Sequence, residues 1–237
     1  MSEYIYGKNA VKAALEHSRS IRCLYVEEKN KEFIELALIR RLPYKIVTKQ
    51  TLDKMITGLH QGVVCEVEDY PYYDLDTILK AARSEYPIVV ALDGMEDPHN
   101  LGAILRIADA TGVDGILLPK NRSVGLSGTV AKVSTGAIEY VKVCEVTNLV
   151  STIKTLKSKG FWVVALELTP EAVSYQSIKY DMPVVLVVGS EGKGISRLVL
   201  EHCDFQVKLP MVGHVNSLNA SVSCGIMLYE IIKYRKE

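Results

Sequence analysis

From Pro87 onward, short runs of uninterrupted apolar residues alternate with helix-length stretches: PIVVALDG, GILLPK, VKVCEV, WVVALEL and PVVLVVGS, separated by segments such as NLGAILRIADATG and NLVSTIKTLKSKG. A strand with one wet face alternates apolar and polar residues. A continuous apolar run instead marks a strand covered on both faces, as in a parallel sheet with helices on either side. Residues 87–237 are therefore read as a doubly wound α/β domain. A further strand, FQVKLPM at 205–211, leads through VGHVN into a helix expected from about Ser217 to Tyr234. Apolar side chains lie almost all round that helix (Leu218, Val222, Ile226, Met227, Leu228, Tyr229, Ile231, Ile232), whereas a surface helix carries one stripe. Burial on several sides is expected, including by a second subunit.

Ahead of this domain, residues 21–70 read as strand (IRCLYVEE), helix (KEFIELALIRR), strand (YKIVTK), helix (QTLDKMITG) and strand (VVCEVEDY), with a helix over residues 9–16 in front. This is a small α/β unit, residues 1–71. The proline-bounded, tyrosine-rich stretch PYYDLDTILKAARSEYP follows, and residues 72–86 are read as a linker carrying one short helix.

Composition narrows the function classes. Lys plus Arg total 28 and Asp plus Glu total 28, so capture of a polyanion by bulk charge is not indicated, and residues 1–71 hold eleven basic and ten acidic side chains. Any nucleic-acid contact must come from a local patch. The five cysteines are odd in number, widely spaced and without a CxxC pair, which reads as free thiols in a reducing compartment and no metal centre. No apolar run spans a membrane and the start has no signal-peptide pattern, so a cytoplasmic location is expected.

An open parallel sheet binds its ligands at the carboxyl ends of the strands. Neither G-x-G-x-x-G after a first strand nor G-x-x-x-x-G-K-[ST] occurs, which disfavours dinucleotide enzymes and P-loop NTPases. Three other clusters fall at strand ends: DPHNLGAILR at 97–106, GSEGKG at 189–194 and LPMVGHVNSLNAS at 209–221. Each alone has an ordinary structural explanation. The glycines would serve a tight turn with Glu191 solvated, Asn100 an N-cap, Arg106 an i,i+3 partner for Asp109, and Ser217 the cap of the last helix with Asn219 in its first turn. Leu101, Ile104, Leu105 and Ala108 share one helical face and are expected in the core, with Arg106 off that stripe. His214 has no triad partners at readable spacing, so nucleophilic hydrolysis is unsupported.

Together the three clusters resemble something specific. DGMEDPHNLGAILRIADATGVDGILLP, LVVGSEGKGIS and LPMVGHVNSLNASVSCGIMLYE, in that order, resemble the three motifs of the SpoU (TrmH-type) RNA ribose 2′-O-methyltransferases of the SPOUT superfamily. YGKNAVKAALE near the start and HQGV at 60–63 resemble the substrate-binding domain found ahead of that catalytic domain. The stretch KNRSVGLSGTVAKVSTGAIEYVKV, residues 120–143, is similar to the branch that methylates a guanosine of large-subunit (23S) ribosomal RNA.

The resemblance implies an α/β catalytic domain with a deep trefoil knot, S-adenosylmethionine as cofactor, a homodimer with the final helix at its interface, and RNA recognition by the small N-terminal domain. Carried over by motif position, it places the cofactor against Gly189, Leu209 and Leu218, with Leu166 beside them. It makes Arg106 the central catalytic residue, with Asn100, Glu191, Ser217 and Asn219 holding Arg106 and the target nucleotide. An arginine guanidinium is a fixed cation, which suits phosphate anchoring and charge stabilisation better than proton abstraction. Methylation of a transfer RNA uses the same motifs, and a non-catalytic RNA-binding or ribosome-assembly protein is the rival from another class.

Overall fold

The computed structural model describes residues 2–17, 19–82 and 84–235, which form two compact units: Met1–Pro71 with Leu126–Tyr140, and Tyr72–Gly125 with Val141–Glu237. The first unit begins with β1 (Ser2–Tyr6), α1 (Lys8–Glu16), β2 (Ile21–Val26), α2 (Lys31–Ile39), β3 (Tyr44–Ile46), α3 (Lys49–Met55) and β4 (Val63–Glu68). Its sheet has the order β1-β4-β2-β3, with β4 antiparallel to β1 and β2, and β2 parallel to β3. Three of these four strands were read from the sequence, and β1 was not, because its ladder comes wholly from the distant β4 and leaves no local periodicity to detect. Leu24, Val26, Phe33, Ala37, Leu52 and Val64 fill the core. The HQGV motif is a built turn: Gln61 takes a left-handed φ of 57°, His60 Nδ1 accepts from Gly62 N (2.9 Å), and the Asn30 amide donates to the carbonyls of Gln61 and Gly62 (3.2 and 3.0 Å).

The second unit opens with α4 (Leu75–Lys80), β5 (Ile88–Asp93), α5 (Pro98–Ala110) and β6 (Gly115–Pro119). Thus the stretch expected as a linker contributes Ile78, fully buried, to the core formed with Leu117, Val89 and Ile153. The chain then runs through α6 (Gly128–Val133) and a 3-10 turn at Ala137–Glu139, both within the first unit. There the Gly128 N–H donates to the Glu3 carboxylate (2.6 Å), and a Cβ on Gly128 would stand 2.2 Å from the Tyr4 carbonyl oxygen. Arg19 and Glu139 form a buried pair at 3.6 Å with the guanidinium stacked over Tyr70, and burial pushes the Glu139 carboxyl above its usual range against the opposing pull of Arg19.

The second unit resumes as β7 (Val143–Val146), α7 (Leu149–Ser158), β8 (Trp162–Leu166), β9 (Val173–Ser174), β10 (Val184–Gly189), α8 (Arg197–Leu200), β11 (Phe205–Lys208) and α9 (Ala220–Ile232). Its seven strands are all parallel, in the order β7-β6-β5-β10-β8-β11-β9. The expected apolar runs are its strands, and Val184–Gly189 is buried along its whole length. From β5 the order runs outward through β6 to β7, while β10, β8 and β11 lie on the other side, so the carboxyl ends of β5 and β10 flank a reversal point where a cleft opens. The stripe Leu101, Ile104, Leu105 and Ala108 is fully buried. Among the described residues no helix is long and apolar enough to cross a membrane.

The last helix starts later than its apolar pattern suggested. Residues 212–219 are exposed loop and α9 begins at Ala220, because Asn219, and not Ser217, supplies the cap. Its Oδ1 accepts from the N–H groups of Ser221 (2.9 Å) and Val222 (3.3 Å). Cys224, Met227, Leu228 and Ile231 are buried, whereas Val222, Ile226 and Tyr229 form an exposed apolar face.

Candidate active site

The end of β10 turns sharply through Ser190–Gly194. Ser190 N donates to Gly194 O (3.3 Å) and Gly194 N to Ser190 O (3.0 Å), closing a tight reverse turn. Gly189 permits it: a Cβ there would stand 2.2 Å from the Gly194 carbonyl carbon and 2.5 Å from Ile195 N. Gly194 has φ +65°, where a Cβ would also strike the Glu167 carboxylate at 2.4 Å. Two carboxylates at neighbouring strand ends steady the chain beyond the turn, since Glu167 accepts from Ile195 N and Asp93 from Ser196 N, both at 2.7 Å.

On one side of this turn lies a cleft of ≈660 Å³. Gly189, Leu209, Leu218 and Leu166 all line it, as do Glu191, Ser217 and Asn219, so seven of the nine residues singled out from the sequence share one cavity. On the other side lies a smaller cleft of ≈330 Å³, lined by Asn100, Glu96, Arg122 and Lys193 and sharing Ser190, Glu191 and Gly194 with the first.

Three of the singled-out side chains close a ring at the shared wall. Asn219 Nδ2 donates to Asn100 Oδ1 (2.8 Å) and to Glu191 Oε1 (2.6 Å), and Asn100 Nδ2 donates to the same Glu191 oxygen (3.1 Å). The capping bonds fix the Asn219 amide, for a flipped amide would point its NH₂ at two backbone N–H donors. The buried Asn100 sits in the first turn of α5, behind the real cap, Asp97, whose Oδ1 accepts from His99 N (2.9 Å). Glu191 Oε2 has no hydrogen-bond partner among the described residues.

Arg106 stands apart. It is exposed, lines neither cleft, and its guanidinium has no partner among the described residues, so the alternative pairing with Asp109 is not made. Its neighbour Ile107 packs at Gly225 of α9, the helix that carries the exposed apolar face.

The profile of the SpoU rRNA Methylase family matches residues 87–229, and that of the RNA 2′-O ribose methyltransferase substrate-binding domain matches residues 4–73. The chain belongs to the SpoU methylase family. As a SpoU methylase it is an S-adenosylmethionine-dependent RNA methyltransferase. It is 47% identical over 241 residues, spanning 99% of this chain and 96% of the other, to YacO of Bacillus subtilis, assigned to the TrmH family of tRNA/rRNA methyltransferases. An rRNA methyltransferase of Sinorhizobium meliloti, solved with AdoMet bound, superposes with a TM-score of 0.83 at 27% identity, covering 98% of this chain and 87% of that one. The SpoU methyltransferase AviRb of Streptomyces viridochromogenes shares the fold, with a TM-score of 0.85 at 24% identity and coverage of 98% and 89%.

Sequence reading passed over Glu167, Asp93, Arg122 and Lys193 in this SpoU methylase. The first two carried a usable signal, a carboxylate ending an otherwise apolar strand. Asn219 allows a direct test of the ring. Asn219→Ala removes a helix cap and leaves the buried Asn100 carbonyl without its donor, so a loss of about 2 kcal/mol in stability is expected together with loss of methyl transfer. Asn219→Ser restores a capping oxygen but no NH₂, and should recover most of the melting temperature without the activity. Recovery of activity in the serine variant would show the ring to be a cap and nothing more.

Proposed function

We propose that this SpoU methylase methylates the 2′-hydroxyl of a ribose in RNA, and that the acceptor is a guanosine of large-subunit (23S) ribosomal RNA. The carrying observation is the Asn100–Glu191–Asn219 ring at the wall between the two clefts. The first cleft fits S-adenosylmethionine: Leu166, Val188, Leu209 and Leu218 offer apolar cover, Gly189 brings backbone close, and Glu167 and Glu191 suit a cationic sulfonium. When bound, S-adenosylmethionine supplies an activated methyl group that passes to the ribose oxygen as its bond to sulfur breaks.

The chain's own residues orient and stabilise. Asn100 and Asn219 hold one oxygen of Glu191, and the free Oε2 accepts a hydrogen bond from the ribose hydroxyl, aiming its oxygen toward the first cleft. Ser217 supports the acceptor from the rim, while Arg106 anchors its phosphate and offsets the charge developing as the hydroxyl proton passes to the Glu191 carboxylate. Because Arg106 lines neither cleft of its own chain, the site is completed in a homodimer closed through the exposed face of α9, Val222, Ile226 and Tyr229. Residues 209–219 and α9 are assigned to the threaded segment of a trefoil knot, the small N-terminal domain to RNA recognition, and the protein to the cytoplasm.

The test is transfer of labelled methyl groups from S-adenosylmethionine to unmodified transcripts of large-subunit ribosomal RNA and, in parallel, of transfer RNA, with the modified nucleotide mapped. Label on one ribosomal guanosine ribose is expected. Label on transfer RNA alone would move the substrate, and the tRNA/rRNA name of the Bacillus relative covers both classes of RNA. No label on either, with cofactor bound, would point to a missing ribosomal-particle context or to the non-catalytic reading.

A further inference from the structure

We infer that Arg122 and Lys193 form a clamp for phosphodiesters of the RNA flanking the target ribose, at the mouth of the ≈330 Å³ cleft behind the Ser190–Gly194 turn. The inference rests on the methyltransfer reading above and assigns the second cleft to the acceptor strand. Both side chains are exposed, and neither has a hydrogen-bond or ion-pair partner among the described residues. The other charged groups of the cleft are four carboxylates, three of them engaged. Asp93 accepts from Ser196 N, Asp97 from His99 N, and Glu191 from the two asparagine amides, which leaves Glu96 as the free one. Three of the four carboxylates are therefore committed to backbone and ring donors while the two cations are not.

The loop that carries Arg122 is held in place. Lys120 N donates to Val146 O (2.9 Å) and Val124 N to Met95 O (2.8 Å), pinning both shoulders, and Arg122 between them adopts a left-handed φ of 59°. A long non-glycine residue is uncommon in that region. Lys193 stands on the turn opposite, two residues from Glu191. Cations on two separate loops thus bracket a cleft whose inner wall carries Glu191 and Asn100, the residues assigned to the reacting hydroxyl. A strand of RNA whose ribose lies at that wall presents a phosphate on either side, one toward each loop. Arginine and lysine are the residues that meet phosphate oxygens by charge-assisted bonds.

The experiment compares wild type with Arg122→Asn, Lys193→Gln and the double variant. Asparagine tolerates the left-handed backbone, and unchanged melting temperatures verify folding. Binding of the ribosomal and transfer RNA transcripts is followed by fluorescence anisotropy over a range of salt, beside methyl-transfer kinetics and calorimetric S-adenosylmethionine affinity. For the double variant the RNA Kd and KM rise about tenfold, the salt slope falls by about 0.7 per cation removed, and cofactor affinity stays within twofold. Arg122→Lys keeps the slope. Unchanged RNA affinity and slope would overturn the clamp, as would loss of S-adenosylmethionine binding with RNA binding intact, which would give the cations to the cofactor's carboxylate. A change in nucleotide preference without a change in slope would also overturn it, since that is base reading. The binding readout is independent of turnover: a wild type that methylates neither RNA yet loses salt slope in the variants would defeat the methyltransfer reading and leave the clamp standing.

Discussion

Arg106→Ala is expected to lower methyl transfer by about 10²–10³-fold, the range for removal of one preorganised charge-stabilising donor, with S-adenosylmethionine affinity unchanged. Arg106 touches neither cleft of its own chain, so its loss leaves the walls of the larger one intact. Stability should move little, because the side chain is exposed and has no partner among the described residues. A mixing experiment tests where the residue acts. Arg106→Ala and Glu191→Gln are each expected to keep at most about a hundredth of wild-type activity. If Arg106 serves the partner's site, a mixed dimer of the two carries one site with both groups intact, and a statistical mixture recovers roughly a quarter of wild-type activity. If Arg106 served its own chain, every site in the mixture would hold one lesion and nothing would be recovered. A monomeric mass by light scattering would rule out the dimer on which this rests.

The contrast between Arg106 and Asn100 marks what the sequence could convey. Both sit in one motif, and periodicity correctly separated the buried stripe Leu101, Ile104, Leu105 and Ala108 from the residues beside it. Position on a helix says nothing of what stands opposite, so the bonds from Asn100 to Glu191 and Asn219, ninety-one and one hundred and nineteen residues away, could come only from the fold. The parallel strands were legible because burial on both faces writes itself into each strand locally. β1 was not, since its ladder depends on β4, nor was the membership of Leu126–Tyr140 in the first unit, which rests on contacts such as Glu3 with Gly128. The start of α9 was misplaced because several residues in SLNAS are capping types, and choosing among them requires knowing that the Asn219 amide is also held by Glu191 and Asn100. Arg122 and Lys193 escaped notice for a related reason, as isolated cations in a chain of zero net charge gain meaning only from the cleft between them.

Gly189→Ala is the second large effect. The added methyl would stand 2.2 Å from the carbonyl carbon of Gly194, 2.5 Å from its oxygen and 2.5 Å from Ile195 N, all backbone atoms with no rotamer to yield. The strand side is no freer, because β10 is buried and paired on both edges, with Gly189 in register with Asp93. The turn must therefore move, and with it go the Ser190–Gly194 bonds, the Ile195–Glu167 bond and the placement of Glu191. A loss of about 3 kcal/mol in stability is expected, at the upper end for overpacking, with at least about a tenfold rise in the Kd for S-adenosylmethionine and no measurable methyl transfer. Gly192→Ala is the control. It lies on the same turn with a left-handed φ of 81°, but its added methyl meets nothing within 4 Å, so only backbone strain of about 1 kcal/mol is added. Thermal melting and calorimetric titration of both variants check the argument. Equal losses would mean that disturbing the turn anywhere is enough, whereas a severe Gly189 variant beside a mild Gly192 variant identifies the close approach of β10 to Gly194 as what shapes the larger cleft.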